Sequence, residues 1–300
     1  MESFWKIGRK CYRIEVKREL HRLIVFWIRA NLHRAKMHRI DEFFQASSLR
    51  RAIADSYPYV YEQPTRAFFY NKSSFDERIK LIEDHFSYLE NKLDSDVLRG
   101  LYSNRAVNLW EQEHEGKDLR LMLHFHPGQR KEGLLALNLT LDGAGALYQM
   151  MFWIERDPHG EWALWIGAMQ GPNMADSRGI IKKLTKACHG CRTKNLILHM
   201  TQEVARGLGM QHIYAVTNYG YYAMNHVRSN RKLKTNFGDF WRESGGKPCV
   251  DKRFYELPLR EYHRTMEEVP TRKRAVYRRR YALLDEIDAA IAQSLQKIMK

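Results

Sequence analysis

The chain has 300 residues, of which 44% are hydrophobic and 12% aromatic, and a formal net charge of +15. These values fit one large folded domain, or one domain with a helical annex, and exclude a disordered chain. Four cysteines are too few for a disulfide scaffold, and the charge directs attention to acidic partners: phosphorylated lipid, nucleic acid or an acidic carrier protein.

The N-terminal stretch scatters charges through its first twenty residues and has no small-residue cleavage site, so no secretory signal is expected. The best apolar run, Leu23 to Ile28, is far shorter than the roughly 20 residues that cross a bilayer. We therefore expect a cytoplasmic chain, with peripheral contact to the inner membrane left open. Residues 12–36 read as one amphipathic helix, with Val16, Leu20, Leu23, Ile24, Trp27 and Ile28 on one side and Lys17, Arg18, Arg22 and Arg29 on the other. Its apolar stripe is expected to pack on the main domain. Its basic face could meet anionic membrane lipid. Ile40 to Asp55 reads as a second helix, ended by the connector Tyr57 to Pro64. Helical spacing returns through Phe75, Ile79, Ile82, Phe86, Leu89 and Leu93. Residues 1–115 are thus expected to be a helical region without a catalytic motif.

The texture changes near Gly116. Four runs, beginning at Leu119, Gly133, Leu147 and Trp162, read as strands separated by short turns, which favours an antiparallel meander. His124 and His126 share a strand face and read as surface or core-edge histidines rather than a metal pair. The apolar run Ala163 to Met169 stops at Gln170, Gly171 and Pro172. A basic segment follows, Lys186 to Lys194, containing Gly190, Arg192 and Lys194. Then comes a helix through Leu196, Met200, Val204 and Leu208, with Thr193 as its expected N-cap, and a second apolar run, Ile213 to Val216. The order is strand, basic loop, helix, strand. The helix start could hold a phosphate or carboxylate, or be an ordinary solvated turn. Cys188 and Cys191 read as free thiols at a helix start, since no further pair of ligands lies near, and no metal site is expected. Asn218 to His226 is polar and aromatic and leads into a basic patch, Arg228 to Lys234. A strand near Arg253 to Leu257 and a basic C-terminal helix over 271–300 close the chain. The fold class expected is α+β, divided as 1–115, 116–268 and 269–300.

Three segments carry a family resemblance: Trp165 to Pro172, His212 to Asn218, and Phe237 to Gly246. Together, over roughly residues 40–270, they resemble the VirK/YbjX family, also called DUF535. That resemblance implies a Gram-negative bacterial protein connected with virulence, resistance to antimicrobial peptides and lipid A homeostasis in the outer membrane. The element order is also similar to that of GCN5-related and RTX toxin-activating acyltransferases, in which the strand before the loop splays from its neighbour and an acyl-pantetheine lies in the gap. On that similarity Gly167, Met169, Gln170 and Gly171 form the strand end, and Gly190, Arg192, Thr193 and Lys194 the anion loop. The usual R/Q-x-x-G-x-G/A loop is absent, so an acidic acyl-carrier protein suits this chain better than acyl-CoA as donor. His226 is then the candidate base, Tyr221 or Tyr222 the acid, and Asn218 the group that orients the acyl carbonyl. The other readings are a non-enzymatic basic protein docked on anionic inner-membrane lipid and, last, a nucleic-acid binder, for which no motif is found.

Overall fold

The computed structural model describes residues 2–226 and 236–300. Six helices come first: α1 (Phe4–Cys11), α2 (Lys17–Leu32), α3 (Arg34–Gln45), α4 (Ser48–Ser56), α5 (Phe75–Lys92) and α6 (Ser95–Leu101). Five strands follow: β1 (Val107–His114), β2 (Lys117–His124), β3 (Leu135–Leu141), β4 (Gly145–Arg156) and β5 (Trp162–Gln170). Then come α7 (Ser177–Ala187), α8 (Thr193–Leu208), β6 (His212–Val216), α9 (Phe237–Glu243), β7 (Lys247–Pro248), β8 (Phe254–Leu257) and α10 (Arg274–Ile298). The α+β class expected from sequence is what is found.

All eight strands join one sheet in the order β1-β2-β3-β4-β5-β6-β8-β7. The first five form the expected antiparallel meander. β6 then pairs parallel to β5, and β8 returns antiparallel to β6. Met150 to Ile154 of β4 and Ala163 to Met169 of β5 are buried at every position. A strand buried at consecutive residues is covered on both faces. Here α5 and α8 both pack against β4, while α10 packs on α8 and β1.

Several boundaries differ from expectation. The single helix expected over 12–36 stops at His33, whose backbone both ends α2 and opens α3. A short helix, α1, precedes it, capped by the Ser3 hydroxyl. β1 lies ahead of Gly116, where strand texture was expected to begin, and pairs with β2 across the turn at that glycine. α7 lies inside what reads as a strand-to-loop connection, with Leu184 on its buried side. The helix after it starts at Thr193 rather than being capped by it, since the N-cap position is Arg192 with no side-chain cap.

α5 opens with a capping box between Ser74 and Glu77. It is tied to the sheet through His85, which is fully buried. Nδ1 of His85 accepts the N–H of Ile154 at 3.1 Å, just beyond the point where β3 stops pairing with β4. That fixes the tautomer, so Nε2–H donates to the Tyr102 hydroxyl at 2.9 Å, which in turn donates to the Leu134 carbonyl. Burial pushes the His85 pKa down to about 3. The unfolded chain takes up this proton near pH 6.5 and the folded one does not. Stability is therefore complete above that pH and is lost as pH falls toward 3, by about 1.4 kcal/mol per unit. His85→Asn, which has no proton to gain, should show a shallower loss of unfolding free energy between pH 6.5 and 4.5 in denaturant titrations. Equal slopes for variant and wild type would contradict this role.

Candidate functional site

β5 and β6 run side by side over four residue pairs, from Ala163 opposite His212 to Ile166 opposite Ala215. β6 then ends at Val216, while β5 continues through Gly167 to Gln170, paired only to β4. The two apolar segments that flank the basic turn in sequence are thus neighbours, and they part at their carboxyl ends. In open sheets with parallel strands, ligands bind at such ends.

One side of the fork holds a buried carboxyl that sequence reasoning missed. A Cβ at Gly167 would stand 1.8 Å from the Glu132 carbonyl oxygen, so only glycine lets the chain ahead of β3 cross β5 here. Glu132 is buried, and its carboxylate accepts the Tyr221 hydroxyl and, at 2.8 Å, the Gln170 carboxamide. Burial raises the Glu132 pKa above the ordinary carboxylate value, and the two donors offset part of that rise. Tyr221 is pushed far up, first by burial and then by the charge of Glu132, so it keeps its proton and donates it. Ala136, Met151 and Ala168 form a small apolar patch against Tyr221.

The other side of the fork meets the start of α8. Tyr148, Met169, Gly171, Lys194, Asn236 and Phe240 line a cleft of about 270 Å³. Lys194 Nζ lies 4.7 Å over the Phe240 ring and 3.4 Å from Glu243.

The residues singled out from sequence therefore divide. Met169, Gly171 and Lys194 meet in one cleft, whereas Gln170 and Gly167 are turned to Glu132. Gly190 packs on Arg280, whose guanidinium donates twice to the His189 carbonyl. Arg192 is exposed. Thr193 is fully buried, and its hydroxyl has no hydrogen-bond partner among the described residues. Tyr221 binds Glu132, and Tyr222 packs edge-on to Tyr221 and Phe68. Asn218 accepts the N–H groups of Phe237, at 2.7 Å, and Gly238, at 3.3 Å, and so caps α9. The side chain of His226 and the patch from Arg228 to Lys234 lie outside the described residues. Cys188 and Cys191 are buried free thiols, and burial pushes the first up to about 11 and the second to about 12.

A third feature lies on α1 and α2. α2 turns Leu23, Phe26 and Ala30 inward. A second apolar arc faces solvent: Ile24, Trp27 (42% exposed), Ile28 and Leu32 (74%). Trp5 of α1 joins it, edge-on to Trp27 at 6.2 Å, and Ile14 and Val16 of the connecting turn are also exposed. Of the stripe expected to pack on the main domain, only Leu23 is buried; Leu20 is half-buried, and Val16, Ile24, Trp27 and Ile28 face solvent. The core instead takes Phe26 and Ala30, which that stripe did not include, beside Leu23.

A family model described as "Protein of unknown function (DUF535)" matches residues 15–293. The chain belongs to the DUF535 family. This DUF535 chain is 25% identical over 273 residues to an uncharacterised protein of Haemophilus influenzae, a match covering 89% of this chain and 87% of the relative. It is 33% identical over 135 residues to the uncharacterised protein YbjX of Escherichia coli K12, covering 44% of this chain and 41% of that one. It is 27% identical over 193 residues to a Mannheimia haemolytica protein called membrane protein LapB, covering 63% and 80%. No solved structure matches the chain.

Proposed function

We propose that this DUF535 chain is an envelope-maintenance protein that works while held on an anionic membrane surface by α1 and α2. The observation that carries the reading is the exposed arc of Trp5, Ile24, Trp27, Ile28 and Leu32. Apolar side chains of this size rarely gather on a monomer surface without a partner, and tryptophan favours the membrane–water boundary. Exposed cations border the arc, among them Lys6, Arg9, Lys17 and Arg18. Each contributes about 1 kcal/mol near an anionic leaflet. No helix among the described residues is long and apolar enough to cross a membrane, so the contact is one along the surface. The naming of one relative as a membrane protein agrees with this, as does the lipid A and antimicrobial-peptide role implied by the family resemblance.

The full chain should sediment with phosphatidylglycerol vesicles, release as salt rises, and bind phosphatidylcholine vesicles weakly. Trp27→Ser combined with Leu32→Ser should weaken binding about tenfold, roughly 1.4 kcal/mol, with the melting temperature unchanged. A double variant that binds as well as wild type would overturn the reading, as would a wild type that ignores anionic vesicles.

A second reading, acyl transfer at the fork, is favoured by the parting of β5 and β6 and by the meeting of Met169, Gly171 and Lys194 in one cleft. An acyl thioester on an acyl-carrier protein or on coenzyme A would be the donor. A base takes the proton of an amine or hydroxyl nucleophile, the new acyl bond forms, the C–S bond breaks, and the pantetheine thiolate takes a proton. Glu132 joins His226 as a candidate base. If Glu132 acts so, the rate is lost as pH falls through its raised pKa, above the usual carboxylate range. Glu132→Gln should abolish turnover across the pH range, while the wild-type rate shows that acid limb. Unchanged acylation of lipid A and envelope proteins in cells lacking the chain, measured by mass spectrometry, would end this second reading and leave the first intact.

A further inference from the structure

A larger cleft, about 540 Å³, is lined by no residue of the exposed arc on α1 and α2. Its walls are the first three turns of α8, the end of α9, the segment 258–264 after β8 and the opening turns of α10. The volume is that of a small-molecule site.

Arginine dominates the lining, with Arg242, Arg260, Arg264 and Arg280 from three different stretches. Two carboxylates share the walls, but each already faces another cation. Glu243 is 3.4 Å from Lys194, and Glu261 is 3.7 Å from His199. Burial lowers the His199 pKa, yet Asp288, with Oδ1 2.8 Å from Nε2, and Glu261 outweigh it and hold the ring charged up to about 9. Arg242 pairs with Asp239. Arg280 donates to the neutral carbonyl of His189, which leaves its charge in place. Arg260 and Arg264 make no close ion pair among the described residues, although the charge of Arg260 is felt at Glu203 and Asp288 and that of Arg264 at Glu268. The lining itself carries four arginines against two glutamates, an excess of positive charge.

Part of this lining is held in advance. Gln202 Nε2 donates to the Pro258 carbonyl at 2.7 Å and Arg206 Nη1 to the Leu259 carbonyl at 2.6 Å, which pins the chain immediately before Arg260 to α8. His263 stacks on Tyr281 at 4.1 Å, and Arg280 lies 4.6 Å over the Tyr277 ring. The Arg280 guanidinium, so placed, loses little freedom on meeting a ligand, while the side chains of Arg260 and Arg264 are exposed on an anchored backbone. Asn195 also lies in the lining; its carboxamide oxygen is buried away from the cleft, with no hydrogen-bond partner among the described residues.

We infer that this cleft binds a phosphorylated ligand, with the phosphate between Arg260, Arg264 and Arg280. Arginine suits phosphate because its planar fork makes paired charge-assisted hydrogen bonds. The ligand is a phosphate ester, either free in solution or borne on a lipid headgroup, and the inference stands whether or not α1 and α2 hold the chain on a membrane.

The probe is inorganic pyrophosphate, titrated calorimetrically into the full chain at low salt. Binding is expected, and Arg260→Gln with Arg264→Gln should weaken it about tenfold or more, since two charge-assisted contacts are lost. The melting temperature without probe should not move, and Arg264→Gln alone repeats the test if the double variant melts early. The W27S/L32S chain should bind pyrophosphate as wild type does. If the ligand is a lipid headgroup, the arginine variant should instead lose affinity about tenfold for phosphatidylglycerol vesicles. An arginine variant that matches wild type with both probes would overturn the inference.

Discussion

The parallel contact between β5 and β6 is the constraint on which the rest of the molecule depends. Parallel neighbours cannot be joined by a hairpin, so the chain must leave the sheet and return. α7 and α8 are that return, and α8 covers the sheet as it goes. The early end of β6 must then be satisfied by other groups, because buried backbone needs partners. The Trp241 indole donates to the Val216 carbonyl at 2.9 Å, and Asn218 caps the helix that carries that tryptophan. Glu132, Tyr221 and Gln170 close the opposite side with a buried but fully engaged carboxylate. The fork is therefore a finished piece of structure as well as a place where a ligand could enter.

Much of this was legible in the residues. β2 and β3 follow from alternation, β4 and β5 from apolar runs set off by short turns, and α5, α8 and α10 from helical spacing. The stripe Leu284, Ile287, Ile291 and Leu295 lies buried as that spacing requires. β1 was not legible because it is an edge strand, with Glu111, Gln112 and Glu113 exposed in a row, and an edge does not need alternation. The break at His33 was hidden because apolar spacing continues across it. Glu132 gave no signal at all. It stands among Arg130, Lys131 and Gly133, and its burial comes from contacts with Gly167, Gln170 and Tyr221, all distant in sequence.

The charge of +15 is distributed with a purpose that composition alone does not reveal. At one place cations border an apolar arc, the arrangement of a helix lying on a lipid surface. At another, arginines line a cleft with aromatic walls, the arrangement of a phosphate site. The basic opening of α10, which in sequence reads as a solvated face, contributes Arg280 to the second of these. The same electrostatic sign therefore occurs in two different geometries.

The most direct measurement is hydrogen exchange followed by mass spectrometry on the full chain, with and without phosphatidylglycerol vesicles. The account predicts that exchange slows over α1, α2 and the turn between them, while peptides from β2 and β3 are unchanged. Exchange that slows elsewhere but not over α1 and α2 would contradict it, because the exposed arc of Trp5, Trp27 and Leu32 would then face no membrane.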